Sequence, residues 1–151
     1  CLLDNIVLPG FLAGLRPRPE VTARGKELME RMGIAELAAS GVTEVSGGQL
    51  QRAGICRALI NDPGIVFADE PTGALNSATA LQILDLLGEV HASGTTLVMV
   101  THDAQVAARA DRVLVLVDGR IEEDLRLGRY RETEAPARLV TVTEALQRRS
   151  V

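Results

Sequence analysis

Three short runs place polar groups where ligand chemistry could be done. The first is Ser46-Gly47-Gly48-Gln49, followed by a helical pattern to about Ile60. Ser with Gln three residues later is a capping box, so Ser46 can cap a helix whose first turn holds two glycines. Glycines leave the backbone N–H groups of that turn uncovered. At the positive end of a helix dipole, uncovered N–H groups form an anion site suited to a terminal phosphate. An ordinary capped helix entered through a Gly-Gly pair fits the same four residues equally well.

The second run is Ile65-Val66-Phe67-Ala68-Asp69-Glu70, an apolar strand ending in two adjacent carboxylates. In open α/β sheets ligands bind beyond the carboxyl ends of strands, which is where Asp69 and Glu70 emerge. Adjacent side chains point different ways, so one carboxylate can hold Mg²⁺ through water while the other orients and deprotonates an attacking water. Standing alone, the run reads better as a strand followed by a solvated acidic turn. The third run, Thr101-His102-Asp103, ends a second apolar strand and is expected to bring His102 to the same sheet edge as Glu70. His91, inside a helical stretch, is expected to be structural or solvated.

These runs need elements to hold them. Pro9-Gly10 and Pro17 to Pro19 break a short apolar opening from a helix over roughly Glu20 to Met32, and the first sixty residues are mostly helical. After Asn61-Asp62-Pro63-Gly64 the pattern changes to strands at Ile65–Ala68, Thr96–Val100 and Val113–Val117. Each is continuously apolar, as a parallel strand buried on both faces should be. Between the first two, Ala80, Ile83, Leu84 and Leu87 form one stripe of a helix from about Ser77 to Val90, making a strand–helix–strand crossover. Asp118-Gly119 signals a tight turn into a hairpin partner beginning at Ile121. From Gly128 onward the pattern is weak.

Composition narrows the function classes. The net charge of −4 and the three aromatic residues argue against a nucleic-acid surface, which needs basic patches and stacking rings. The longest purely aliphatic run, Val113 to Val117, is far too short to span a membrane. Cys1 and Cys56 lack metal-ligand spacing, and a reducing compartment suits them.

Taken together, the runs resemble the motifs of ATP-binding-cassette (ABC) transporter ATPases, most closely the lipoprotein-release, macrolide-export and antimicrobial-peptide-export branch. Val45-Ser46-Gly47-Gly48-Gln49 resembles the signature sequence, with Val for the usual leading Leu, and the strand ending in Asp69-Glu70 resembles Walker B. Gly73-Ala74-Leu75-Asn76 resembles the D-loop, with Asn for the usual Asp, and His102 matches the switch histidine. Four motifs in the family's order, over roughly residues 1–127, carry the likeness.

The resemblance implies an α/β fold. A helical subdomain (1–61) is followed by part of a RecA-like parallel sheet with flanking helices and a hairpin (62–127), and then a C-terminal extension (128–151). It implies ATP and Mg²⁺ as ligands. Ser46, Gly47, Gly48 and Gln49 would contact the γ-phosphate of an ATP held by the opposite subunit of a head-to-tail dimer. Asp69 would hold Mg²⁺ through water, Glu70 would act on the attacking water, His102 would contact the γ-phosphate, and Asn76 would lie at the dimer seam. Phe11 and Leu12 to Leu15 would lie near transmembrane permease subunits, which would anchor the chain on the cytoplasmic face of the membrane.

A phosphate-binding loop G-x-x-x-x-G-K-[ST] and a glutamine loop are expected upstream of the signature, and neither pattern occurs in the 151 residues. The single lysine, Lys26, follows Gly25 but precedes Glu27, which is not a P-loop. The chain is therefore expected to begin near the middle of a cassette and to be inactive alone. Two other classes compete: a short, catalytically silent module lending its signature helix to a partner's ATP, and a DNA-maintenance ATPase. Pro71-Thr72-Gly73 after Glu70 and the lack of long heptads disfavour the second.

Overall fold

A computed structural model of the chain describes residues 1–148, which form two compact units that divide between Met99 and Val100. The first opens with α1 (Leu2–Ala13), α2 (Arg18–Arg31) and α3 (Gly47–Leu59). A strand–helix–strand crossover follows: β1 (Ile65–Asp69), α4 (Ser77–Ala92) and β2 (Thr96–Val100). The second unit holds α5 (Ala104–Ala107), the antiparallel pair β3 (Arg112–Val117) and β4 (Arg120–Arg126), and α6 (Ala135–Gln147).

The Pro9-Gly10 break expected from sequence is absent, because α1 runs straight through both residues. Packing explains this. A Cβ on Gly10 would fall 2.5 Å from Cγ1 of Val21 and 3.3 Å from Cγ1 of Ile60, so the bare backbone is what lets α1 close on α2 and α3. Leu2, Ile6 and Val7 are thereby buried with Leu28, Met29, Cys56 and Ile60. That burial outweighs the one helical hydrogen bond a proline removes. Burial pushes the Cys56 thiol up to about 12, which leaves it a packing group without thiolate reactivity.

Of the expected α4 stripe, Ile83, Leu84 and Leu87 are buried and Ala80 is half-buried, and Val90 extends the buried face. β1 and β2 pair in one sheet, joined through α4 by the kind of connection parallel strands require. Their burial differs from expectation. Val66, Leu97 and Met99 pack on the helical core, but Ile65, Phe67, Val98 and Val100 face outward, and Phe67 is 77% exposed. The strands are apolar on both faces, and among the described residues only one face is covered. The third apolar run also differs: β3 joins β4 in a separate two-stranded sheet. Asp118 and Gly119 both have positive φ, 48° and 75°, which is the two-residue hairpin turn that dipeptide favours.

A charged clasp closes the helical layer. Asp62, in the turn before β1, accepts hydrogen bonds from Arg16 Nη2 at 2.6 Å and from Arg24 Nη2. The Arg16 hydrogen bond, joined by the Arg24 charge, holds the Asp62 carboxyl below the usual carboxylate range. A depressed folded-state pKa means that the clasp stabilises fully above the unfolded value of about 4 and is lost as pH falls through the folded one. Asp62→Asn should therefore lower the melting temperature at pH 7, and the gap between variant and parent should shrink as pH drops below about 4. A pH-independent gap would contradict this account of the clasp.

Candidate nucleotide-processing site

The capping box inferred at Ser46 is present in full. Gln49 N–H donates to Ser46 Oγ at 3.3 Å, and Ser46 N–H donates to Gln49 Oε1 at 2.8 Å. Both side-chain oxygens thus accept within the cap and fix the helix entry, while the Ser46 hydroxyl, the Gln49 amide NH₂ and the backbone N–H groups of the first turn, which have no acceptor within a helix, remain as donors for a ligand. Ser46 and Gly47 are exposed.

A second helix opens beside the first. Asn76 caps α4, its side-chain oxygen accepting from Thr79 N–H at 3.0 Å. A Cβ built on Gly48 would stand 2.6 Å from Cγ2 of Thr79, and one on Gly47 3.9 Å from Cδ2 of Leu75. The start of α3 therefore lies against the start of α4, and glycine at 48 is what permits the approach. Two positive helix ends open side by side, which concentrates favourable potential for an anion. Asn and Asp cap helices about equally well, so the Asn at 76 keeps this geometry without a formal charge.

Asp69 is the last residue of β1 and exposed, while Glu70 is half-buried. Glu70 adopts φ 44°, a left-handed conformation that costs a non-glycine residue about 1 kcal/mol. Pro71 disfavours the right-handed helical region at Glu70. The turn is held by Gly73 N–H donating to Glu70 O at 3.2 Å and Leu75 N–H to Thr72 O at 3.0 Å, with Thr72 buried beneath. Strain of this kind gathers at functional sites, and the two neighbouring carboxylates differ in exposure, Asp69 exposed and Glu70 half-buried.

His102 belongs to the second unit, two residues beyond β2, and is exposed. Asp103 N–H donates to Thr101 Oγ1 at 3.0 Å, and Asp103 caps α5 by accepting from Gln105 N–H at 2.7 Å. His91 Nδ1 lies 3.2 Å from Thr95 O at the end of α4. The structure thus joins Ser46–Gln49 with Leu75–Thr79 in one place, and sets Asp69 and Glu70 at the start of the turn that leads into α4.

The sequence model of the ABC transporter family matches residues 3–73. A Rhodospirillum rubrum protein named macrolide export ATP-binding/permease protein MacB is 46% identical over 121 residues, covering 80% of this chain and 18% of its own length. A Paracoccus denitrificans protein named macrolide export ATP-binding/permease protein MacB 1/2 is 45% identical, covering 83% of this chain and 19% of its own. The chain belongs to the ABC transporter family. It spans about a fifth of the length of these curated relatives. The fold agrees: a dimeric bacterial ABC transporter cassette superimposes with a TM-score of 0.73 at 38% identity, covering 85% of this chain and 57% of that one. A dimeric cassette in a post-hydrolysis state bound to ADP and Pi superimposes at 0.68 and 34% identity, with the same coverage of each chain.

One residue of this ABC family chain that sequence reasoning passed over is Arg138, in α6. It is buried, 5% exposed, and donates to backbone carbonyls of Ala108, Ala110, Leu127, Gly128 and Arg129. The signal was available: Arg138, Val142 and Ala145 fall at helical spacing on one buried stripe, where a charge requires a partner.

Proposed function

We propose that the chain is the signature-and-Walker-B part of an ATP-binding subunit that couples ATP hydrolysis to export or release of a substrate through separate membrane permease subunits. The observation that carries this reading is the pairing of the Ser46-capped end of α3 with the Asn76-capped end of α4, together with the carboxylate-bearing turn that begins at Asp69. The helix ends offer N–H groups to the γ-phosphate of an ATP bound by a second subunit. Asp69, an exposed carboxylate, would hold Mg²⁺ through water, since a phosphate-bound Mg²⁺ takes only one or two carboxylates from protein. Bound Mg²⁺ would neutralise charge on the phosphates. Glu70 orients the attacking water and accepts its proton, and His102 donates to the γ-phosphate.

On this reading the helical subdomain is 1–61, the partial RecA-like core 62–127 and the extension 128–151. Among the described residues no helix is long and apolar enough to cross a membrane. Leu12 and Leu15, 78% and 77% exposed at and just beyond the end of α1, suit a permease contact on the cytoplasmic side. The open face of β1 and β2 supports the expectation that further polypeptide, bearing a P-loop, completes the cassette. Equilibrium binding to the purified 151-residue chain tests this. Without a loop that wraps the phosphates, ATP should give no saturable site below about 1 mM. A tight, Mg²⁺-dependent site on the chain alone would refute it.

A further inference from the structure

We propose that Arg138 is a positioning residue for His102, acting through the short helix α5 that joins them. This inference rests on the reading of His102 as a γ-phosphate contact. All of the parts lie in the second unit.

Four residues of helix cannot hold their own shape, so α5 must be fixed from outside. Its beginning is fixed locally, by the Thr101 and Asp103 hydrogen bonds that bracket His102. Its end is fixed by Arg138. Nε donates to Ala108 O at 2.8 Å and Nη2 to Ala110 O at 2.6 Å, the carbonyls that close the helix and the turn after it. The other edge of the same guanidinium donates to Leu127, Gly128 and Arg129 at 3.3, 3.1 and 3.2 Å, at the exit of β4. Tyr130 packs against both Arg138 and Arg109, whose guanidinium carbons lie 5.4 and 5.2 Å from its ring centre, a cation–π contact that helps hold the fork in place. Val106 and Ala108 of the α5 segment and Val142 and Ala145 of α6 are buried in this unit.

The planar fork matters more than the charge. Only guanidinium can bond two groups of carbonyls along two edges at fixed spacing. If that spacing changes, the end of α5 moves at Ala108, six residues after His102, and the short segment between them shifts with it. Misplacement of a catalytic contact by about 1 Å lowers turnover by up to about a hundredfold.

The test is a double-mutant cycle on ATP hydrolysis, in the protein as its gene encodes it, assembled with its permease. Arg138→Lys keeps the charge and removes the fork, and a melting curve confirms that it is folded. It should lower kcat about tenfold or more with KM for ATP little changed, and in a His102→Ala background it should lower kcat no further. Arg138→Gln, which keeps donors without the charge, should behave alike. Equal losses with and without His102, or an unchanged kcat in both folded variants, would overturn the positioning role. A His102→Ala protein that hydrolyses ATP at the parent rate would instead overturn the γ-phosphate reading on which that role depends.

Discussion

Replacing Glu70 by Gln should cut ATP hydrolysis by about 10²-fold or more while leaving nucleotide binding intact. Gln keeps the size and hydrogen-bonding reach of the side chain and removes its capacity to take a proton, which is the part of the rate that general-base catalysis supplies. The turn at residue 70 is held by backbone hydrogen bonds, Gly73 N–H to Glu70 O and Leu75 N–H to Thr72 O, which the substitution leaves in place. Asp69→Asn should behave differently, losing Mg²⁺-dependent affinity together with turnover. Initial rates and nucleotide titrations on the two variants separate base from metal holder. Parent-rate hydrolysis by Glu70→Gln would remove the catalytic role assigned to it.

The largest effect on stability is expected at Arg138. Arg138→Met matches the length and apolar stem of the side chain but leaves five backbone carbonyls without their donor in a buried site. Hydrogen bonds to a charged group are among the strong ones, and leaving a buried acceptor without its donor costs about 1–3 kcal/mol. Urea unfolding of the variant should show a loss of that order. A change within about 0.5 kcal/mol, as for an ordinary surface substitution, would mean that water replaces the guanidinium without penalty.

Local chemistry was legible in the sequence, and long-range packing was not. The capping box at Ser46, the Asp118-Gly119 turn and the Ile83-Leu84-Leu87 stripe each follow from residues within a few positions of one another, and each is present as expected. Pro9 misled because a local breaker was weighed without the α1–α2–α3 packing around Gly10 that overrides it. The strands misled in another way. A continuously apolar run states what the strand can bury, whereas Phe67 and Val100 remain outward because a cover for that face is not among the described residues. α6 was passed over because its burial rests on three positions, one of them an arginine whose partners lie 9 to 30 residues away. The pairing of Ser46–Gln49 with Asn76–Thr79 was likewise out of reach of spacing alone, since some thirty residues separate the two helix starts. The 149–151 end of the proposed extension lies outside the described residues.

The central claim is that the Ser46-capped helix end of one subunit closes on ATP held by another, and the molar mass of the Glu70→Gln cassette in solution tests it most directly. Blocked before hydrolysis, the cassette carrying this chain should be a monomer without nucleotide and a dimer with ATP, because the bound γ-phosphate is the link across the seam. Adding Ser46→Arg, which removes the cap and places a bulky side chain at the helix end, should return it to a monomer at the same ATP concentration. A mass that ignores ATP, or an ATP-dependent dimer that Ser46→Arg leaves whole, would contradict the account.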